Sequence, residues 1–443
     1  MALRDILVVL IVFGTLPVVL VRPVFGVLLW TWLGLMNPHR LAFGFAHDFQ
    51  FAQYAAGATL LGLLVTREER RWPVAPPMTA LLLFLGWITV TLPFSFFLEP
   101  SFEMWSKVVK IQIMTFVAAA VLLRRDYIHW FVWILVLSIG FFGVKGGIFT
   151  LLGGGEGRVL GPPDTYIEGN NELALALIMT VPLMWYLFET HRQGWVRFGL
   201  AVAAPLTGVA ILGSHSRGAL LAIFAMVCTF WWYSKRKAAL GFAIVLLLPA
   251  MIAFMPSSWD KRMETITTYE QDESAMGRIN AWHTMFNLAK DRPFTGGGFE
   301  VYTQYVYSLY APDPRHPRAA HSIYFQVLGE HGFAGLFLFL AVWFYTWRTA
   351  SWIRRRTAPD GDNAWAFHLA SMSKVSLVGF FVGGAFLSLA YFDLPYYIMA
   401  ALVCTQYVLR RQGVDAPVAA SGAPDTRPLV PAHPAAGLAA RRG

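Results

Sequence analysis

Apolar runs of about 16–25 residues alternate with short polar turns along most of the chain. A helix needs about 20 apolar residues to cross a membrane, so the pattern predicts an all-α polytopic membrane protein. Residues 5–36 are too long for one straight crossing and are broken at Pro17 and Arg22-Pro23. They form either one broken crossing or two short helices. The other predicted spans are 50–65, 78–97, 107–123, 128–150, 171–190, 196–213, 218–233, 238–255, 322–347, 366–390 and 395–409.

The largest departure from this pattern is residues 256–320, a polar interruption that ends where the chain re-enters the apolar pattern at His321. Within it, residues 274–289 predict an amphipathic helix with Ser274 as its N-cap. The Asp-Arg-Pro sequence at 291–293 ends that helix, and three glycines at 296–298 predict a flexible or tightly turned connection. A membrane protein that gathers its polar residues in one outer segment is expected to do its chemistry there.

Charge gives the chain an orientation. The chain is 56% hydrophobic and 14% charged, and its formal charge is +9. This charge does not indicate nucleic-acid binding, because the basic residues cluster in short turns, as the positive-inside rule expects of cytoplasmic loops. The clusters are Arg67/Arg70/Arg71, Arg124/Arg125, Lys235/Arg236/Lys237, Arg354/Arg355/Arg356 and Arg410/Arg411.

With these turns inside, a cytoplasmic N-terminus requires residues 1–36 to cross once. We therefore predict about 12 crossings, with both termini cytoplasmic. The chain divides into N-terminal transmembrane helices (1–255), a large periplasmic loop (256–320), C-terminal transmembrane helices (321–411) and a cytoplasmic tail (412–443). The tail is rich in Ala, Pro and Gly without apolar periodicity and is predicted to be disordered.

Three arginines in the outer turns are candidates for anion binding. Arg217 lies in a tight turn between two apolar runs, Arg278 follows a glycine at the start of the amphipathic helix, and Arg158 lies in a glycine-rich turn. A guanidinium at the membrane surface can hold a phosphate with paired donors. The alternatives are an arginine that reaches the lipid headgroups and, for Arg278, a solvated helix face. Arg292, Arg315 and Arg318 are interpreted as loop or headgroup charges.

His321 is the candidate general base. A neutral imidazole with a pKa of about 6.5 can accept a proton from a hydroxyl at physiological pH. Helical spacing predicts that His321 shares one face with Phe325 and Leu328. The alternative is a histidine that is only hydrogen-bonded at a helix N-terminus.

Two ionisable residues lie further along the same predicted helix, Glu330 and His331. We expect them to be paired inside the bundle rather than to join the site of His321, with Lys145 and Lys374 as candidate partners. The outer turns contain no Asp-x-Asp, no His-x-x-x-His and no cysteine cluster, and the chain has no phosphate-binding P-loop. The sequence therefore predicts neither a metal nor a cofactor.

Four motifs in this order resemble those of the O-antigen ligase and polymerase superfamily, over residues 170 to 345. They are Ser216-Arg217-Gly218-Ala219, Gly277-Arg278 with Trp282, Gly296-Gly297-Gly298, and His321-Ser322-x-Tyr324 followed by Leu328-Gly329-Glu330-His331-Gly332. The N-terminal third resembles the branch of putative O-glycosylation ligases found with exosortase systems.

The resemblance implies a GT-C-type glycosyltransferase of the bacterial inner membrane. Such ligases move a glycan from undecaprenyl diphosphate to a sugar hydroxyl of lipid A–core at the periplasmic face, with inversion and without a metal. Arg217 and Arg278 match the family's diphosphate-binding arginines, with Arg158 as a further candidate, and His321 matches its essential histidine. Ser322 replaces the asparagine that usually follows that histidine. The polyprenyl tail is expected to lie among membrane lipid in a groove between spans.

Three other functions stay open at this stage. An O-antigen polymerase would use the same donor with a second lipid-linked glycan as acceptor, and a protein O-glycosylation ligase would use a protein. A lipid-glycan transporter would use Lys145, Lys374 and Glu330 as a charge pathway. Transporters often contain repeated halves, and no internal repeat is evident in this chain.

Overall fold

The computed structural model describes residues 3–233 and 273–414, which form helices joined by turns. The helices are α1 (Leu3–Val21), α2 (Pro23–Met36), α3 (Phe51–Val65), α4 (Pro76–Thr91), α5 (Leu98–Val121), α6 (Arg125–Leu152), α7 (Asn170–Thr190), α8 (Gly194–Gly213), α9 (Arg217–Tyr233), α10 (Glu273–Asp291), α11 (Gln304–Tyr310), α12 (Ile323–Arg356), α13 (Ala364–Gly384) and α14 (Asp393–Arg411). The predicted all-helical fold is therefore confirmed for the described residues.

Eight of the described helices are long and apolar enough to cross a membrane, and α2, α3 and α9 are shorter apolar helices. Helix α14 is buried along nearly its whole length and forms the centre of the bundle. The predicted span 238–255 and nearly all of the predicted tail lie outside the described residues. A multi-pass membrane protein is thus confirmed, whereas the count of about 12 crossings stays a prediction.

The first two helices fold back on each other. Asp5, near the start of α1, accepts a hydrogen bond from the Gly44 amide at 3.2 Å. At the other end of α1, the carbonyl of Val21 accepts from the hydroxyl of Thr66 at 2.8 Å. Helix α1 therefore runs antiparallel to α2, with its beginning beside the turn after α2 and its end beside the turn after α3.

This hairpin corrects the prediction for residues 1–36. The helix stops at Arg22 (φ −129°, ψ 88°) because Pro23 has no N–H to continue the hydrogen-bond ladder. Residues 3–36 thus form two helices instead of one broken crossing. The start of α1 and the basic turn 67–71 lie at opposite ends of the bundle, so the prediction that both are cytoplasmic is wrong.

The basic clusters that the structure describes share one end of the bundle. Arg71 lies over the ring of Tyr407, and Arg411 pairs with Glu69 at 2.8 Å. Arg410 lies over Trp352, next to the cluster at the end of α12. Arg125 similarly lies over Trp365 of α13. The positive-inside rule predicts that this end faces the cytoplasm, in which case the start of α1 lies at the opposite, outer end.

Helix α12 is broken at Gly332, whose backbone (φ 70°, ψ −172°) is not helical. The break leaves free the carbonyl groups that would accept hydrogen bonds from the next turn in a continuous helix. Gly297 and Gly298 donate their N–H groups to the carbonyls of Gly329 and Glu330, each at 2.9 Å. The three glycines thus form a tight turn that attaches the outer segment, of which the structure describes residues 273–320, to the broken helix through the backbone.

The break also explains the length of α12. At 1.5 Å per residue, its 34 residues would extend about 51 Å, far beyond a hydrocarbon core of about 30 Å. The part after the break, residues 333–356, extends about 36 Å and is long enough to cross by itself. The part before the break therefore belongs with the outer segment. The non-helical backbone at Gly332 is buried in protein, as a membrane protein requires of such backbone.

The outer segment has a small core of its own, formed by Met285, Leu288, Val301, Val306 and Ala320. Helix α10 confirms the predicted amphipathic helix and its end at Asp291. Because the helix includes Glu273, Ser274 lies inside it and is not its N-cap.

Candidate active site

Arg217 is the first residue of α9 and follows a tight polar turn. His215 in that turn is left-handed (φ 56°), and its Nε2 donates to the carbonyl of Gly155 at 2.8 Å. Asn170, at the start of α7, donates its amide to the carbonyl of Ser214 at 2.7 Å. Two outer segments therefore fix the turn, which leaves Arg217 half-buried.

Arg158 is exposed on the loop between α6 and α7. The next residue, Val159, donates its N–H to the carbonyl of Gly213 at 3.1 Å, so this loop packs against the turn before Arg217. Arg158 itself is not among the residues that line a small cavity beside Arg278, which is described next.

A small cavity, of about 10 Å³, lies between α7, α9, α10 and the segment after α13. Its polar lining comes from Asn171, Ser216 and Arg278, with Gly218 beside them. The residues on both sides of Arg217 line the same cavity as Arg278, so the structure brings these two predicted segments together. A cavity of this size holds about one water molecule and is too small for a diphosphate.

His321 lies in the turn before α12, where its backbone is left-handed (φ 43°). Its N–H donates to the Oγ of Ser388 at 2.9 Å. The carbonyl of Ala320 accepts from the Nε1 of Trp282 at 2.8 Å, which joins this turn to α10. Contacts from α10 and from the segment after α13 therefore set the position of the half-buried imidazole.

The predicted common face of His321, Phe325 and Leu328 is wrong. A left-handed residue that precedes the helix does not follow the rotation of the helix. Phe325 instead stacks on Trp282, with ring centres 5.4 Å apart and an angle of 8° between the planes. Leu328 is buried.

The electrostatics around His321 favour its neutral form. Burial lowers the pKa of His321 below its usual value, and the positive charges of Arg278 and Arg318 lower it further. At neutral pH the imidazole therefore has a nitrogen able to accept a proton. Arg278 also lies close enough to Glu172 for their charges to interact. The structure thus brings His321 and Arg278 together as the sequence predicted.

Three residues of this region were missed by the sequence analysis: Asn171, Glu172 and Arg318. The first two belong to a polar triplet, Asn-Asn-Glu at 170–172, at the outer start of an apolar run, and this triplet was a usable signal. Nothing in the sequence separates Arg318 from its neighbouring loop arginines. Among the described residues, no group of three or more His, Cys, Asp or Glu side chains could hold a metal ion.

A family model described as O-antigen ligase matches residues 200–340, a range that contains Arg217, Arg278 and His321. The match supports a relationship to the O-antigen ligase superfamily over this part of the chain. A family of unknown function matches residues 3–192. No curated protein matches the chain significantly. The likeness of the N-terminal third to ligases found with exosortase systems stays a prediction.

The match over residues 200–340 suggests a membrane glycosyltransferase of the ligase or polymerase type. Within the matched range, Glu330 is 1% exposed, and its carboxylate accepts hydrogen bonds from Tyr391 at 2.6 Å and Tyr302 at 3.1 Å. The expectation of a lysine partner is therefore wrong. Lys145 is exposed on α6, and Lys374 donates to Ser351 towards the opposite end of the bundle.

The buried carboxylate of Glu330 joins two chain segments. Tyr391 belongs to the segment after α13, which also holds the His321 amide, and Tyr302 belongs to the outer segment. His331 lies beside Glu330 in sequence, but its Nδ1 lies 3.2 Å from the hydroxyl of Thr91 on α4. Glu330 and His331 are both buried, but they contact different segments and are not paired with each other.

Proposed function

We propose that the chain is an O-antigen ligase of the bacterial inner membrane. In this proposal, the donor is a glycan on undecaprenyl diphosphate, and the acceptor is a sugar hydroxyl of lipid A–core at the periplasmic face. The observation that carries the proposal is a half-buried histidine whose neutral form is favoured by the charge of Arg278, in the turn before α12.

His321 acts as the general base in the proposed reaction. It takes the proton of the acceptor hydroxyl as that oxygen forms a bond to the anomeric carbon of the donor sugar. The bond between the anomeric carbon and the diphosphate oxygen breaks at the same time, and its electron pair stays on the diphosphate. Attack from the face opposite the leaving group inverts the anomeric centre.

Arg217 and Arg278 hold the diphosphate in this proposal. Their guanidinium groups stabilise the negative charge that develops on the leaving group, which is the role a metal ion has in other transferases. Arg217 starts α9 and Arg278 lies on α10, so the two groups reach the diphosphate from separate elements. Arg158, in the glycine-rich outer turn, is a third and weaker candidate ligand of the diphosphate. Its exposed position gives it a peripheral contact at most.

The proposal is tested by transfer in vitro, with purified chain, undecaprenyl-diphosphate-linked glycan and lipid A–core. Removal of a general base lowers the rate by about 10²–10⁴-fold, which we expect for His321→Ala. His283→Ala is the matched control, because His283 is exposed on α10 in the same outer segment. A His321→Ala protein as active as the control would remove the proposed base.

The products and the metal requirement distinguish the remaining alternatives. Transfer to lipid A–core supports the ligase. Growth of the lipid-linked glycan without transfer to core identifies a polymerase, and transfer only to protein identifies an O-glycosylation ligase. We expect full activity in EDTA, and activity that EDTA abolishes and a divalent ion restores would overturn the metal-free mechanism.

A further inference from the structure

Arg318 lies in the outer segment shortly before His321, and its side chain packs on the backbone of α10. A Cβ atom placed on Gly277 would lie 2.8 Å from the Nη1 of Arg318 and 3.0 Å from its Cζ. Glycine at position 277 thus leaves the space that the guanidinium occupies. Because Gly277 directly precedes Arg278, the two arginines reach the same region from different segments.

The backbone around Arg318 is fixed at two points. The hydroxyl of Tyr307 donates to the carbonyl of Arg318 at 2.7 Å. Two residues later, the carbonyl of Ala320 accepts from the indole of Trp282 at 2.8 Å. The half-buried Arg318 is therefore held in place relative to His321, and its positive charge acts on that imidazole together with the charge of Arg278.

The other two loop arginines that the sequence grouped with Arg318 make different contacts. Arg315 is exposed and forms a paired contact with Asp313, at 2.7 and 2.9 Å. Arg292 donates to the carbonyl of Phe94 and lies over a phenylalanine ring of the same turn. Of these three arginines, Arg318 is the one whose charge acts on His321.

We propose that Arg318 binds the polyprenyl diphosphate leaving group together with Arg278, an inference that rests on the proposed function. Each phosphate of a diphosphate diester carries one negative charge, and cleavage of the glycosidic bond adds a further charge to the terminal phosphate. Arg318 lies near the base, where this bond breaks. Its charge therefore stabilises the leaving group more than the bound donor, so that it acts mainly on kcat.

Binding of undecaprenyl diphosphate to the purified full chain in detergent, followed by tryptophan fluorescence, tests this role without transfer. Loss of a hydrogen bond to a charged group weakens binding about ten-fold or more, which we expect for Arg318→Gln. Arg318→Lys keeps the positive charge, so we expect it to lose less binding affinity than Arg318→Gln. Gly277→Ala keeps every charge but displaces the guanidinium, and we expect it to weaken binding too. Arg315→Gln, the matched control, leaves binding unchanged.

The transfer assay adds a readout that a purely structural role would not change. Arg318→Gln removes one of the charges that lower the pKa of His321, so the acid limb of the pH–rate profile moves to higher pH. Diphosphate binding within two-fold of wild type in Arg318→Gln, with weaker binding in Arg278→Gln, overturns the role of Arg318 and leaves the proposed function standing. A wild-type chain that does not bind undecaprenyl diphosphate overturns both.

Discussion

Gly332 is the position where one added methyl group tests the architecture most directly. Its backbone (φ 70°, ψ −172°) lies in a region that only glycine adopts readily. A Cβ atom at this position would lie 2.8 Å from the carbonyl carbon of Pro293 and 2.9 Å from that of Phe294. Both neighbours are backbone atoms, so neither can move aside as a flexible side chain could.

The expected loss of stability of Gly332→Ala follows from these two effects. Backbone strain of this kind costs about 1–3 kcal/mol, and overpacking against fixed atoms costs about 1–3 kcal/mol more. The sum is about 2–6 kcal/mol. Gly86→Ala is the matched control, because Gly86 lies in α4, which packs against α12, and nothing lies within 4 Å of its added methyl. Higher helix propensity makes this control neutral or about 1 kcal/mol more stable.

Thermal unfolding of both variants in detergent, followed by intrinsic tryptophan fluorescence, measures the difference. We expect Gly332→Ala to unfold several degrees below wild type, with Gly86→Ala at or above wild type. Equal transitions for Gly332→Ala and wild type would show that α12 is not broken as described. A control as unstable as Gly332→Ala would show that the effect comes from any added methyl group.

Three further predictions concern the site and the topology. Because the pKa of His321 is lowered, the base becomes protonated only at a lower pH than a free histidine does, and we expect the loss of transfer in acid to be shifted in the same direction. Arg278→Gln raises this pKa and moves the acid limb of kcat/KM to higher pH; an unmoved limb would contradict the electrostatic coupling. Asn170→Ala removes a hydrogen bond to the turn of Ser214, and we expect about 1 kcal/mol lower stability by thermal unfolding. In a cysteine-free background, we expect Leu3→Cys to be labelled from the periplasm by an impermeant maleimide. A cysteine placed in the basic turn after α3 should not be labelled, and the reverse pattern would contradict the hairpin.

The helices could be predicted from the sequence because apolar runs report burial in lipid directly. The direction of α1 could not, since hydropathy gives the same signal for a helix that runs either way. The topology argument assumed a cytoplasmic N-terminus, and the contacts of Asp5 and Val21 show the opposite direction. A break at an Arg-Pro step is compatible with a kink or a reversal, and only tertiary contacts distinguish them.

For the site, the sequence predicted that His321 and Arg278 act together; the charge of Arg278 reaches the imidazole, and their roles stay a prediction. The helical-face argument for His321 failed because it assumed regular helix up to the first residue of the span. Arg318 was missed because its role depends on the space left by Gly277, far away in the chain. Such a contact has no signature in local spacing.

The backbone attachment at residues 296–298 has a consequence for how acceptor preference could change. The bonds from Gly297 and Gly298 to α12 use peptide groups alone, in the way that neighbouring β-strands are joined. A segment attached in this way keeps its path when its side chains change, provided that the glycines stay. Substitutions elsewhere in the outer segment could then alter which sugar is recognised, while the histidine that precedes α12 stays in register with the bundle.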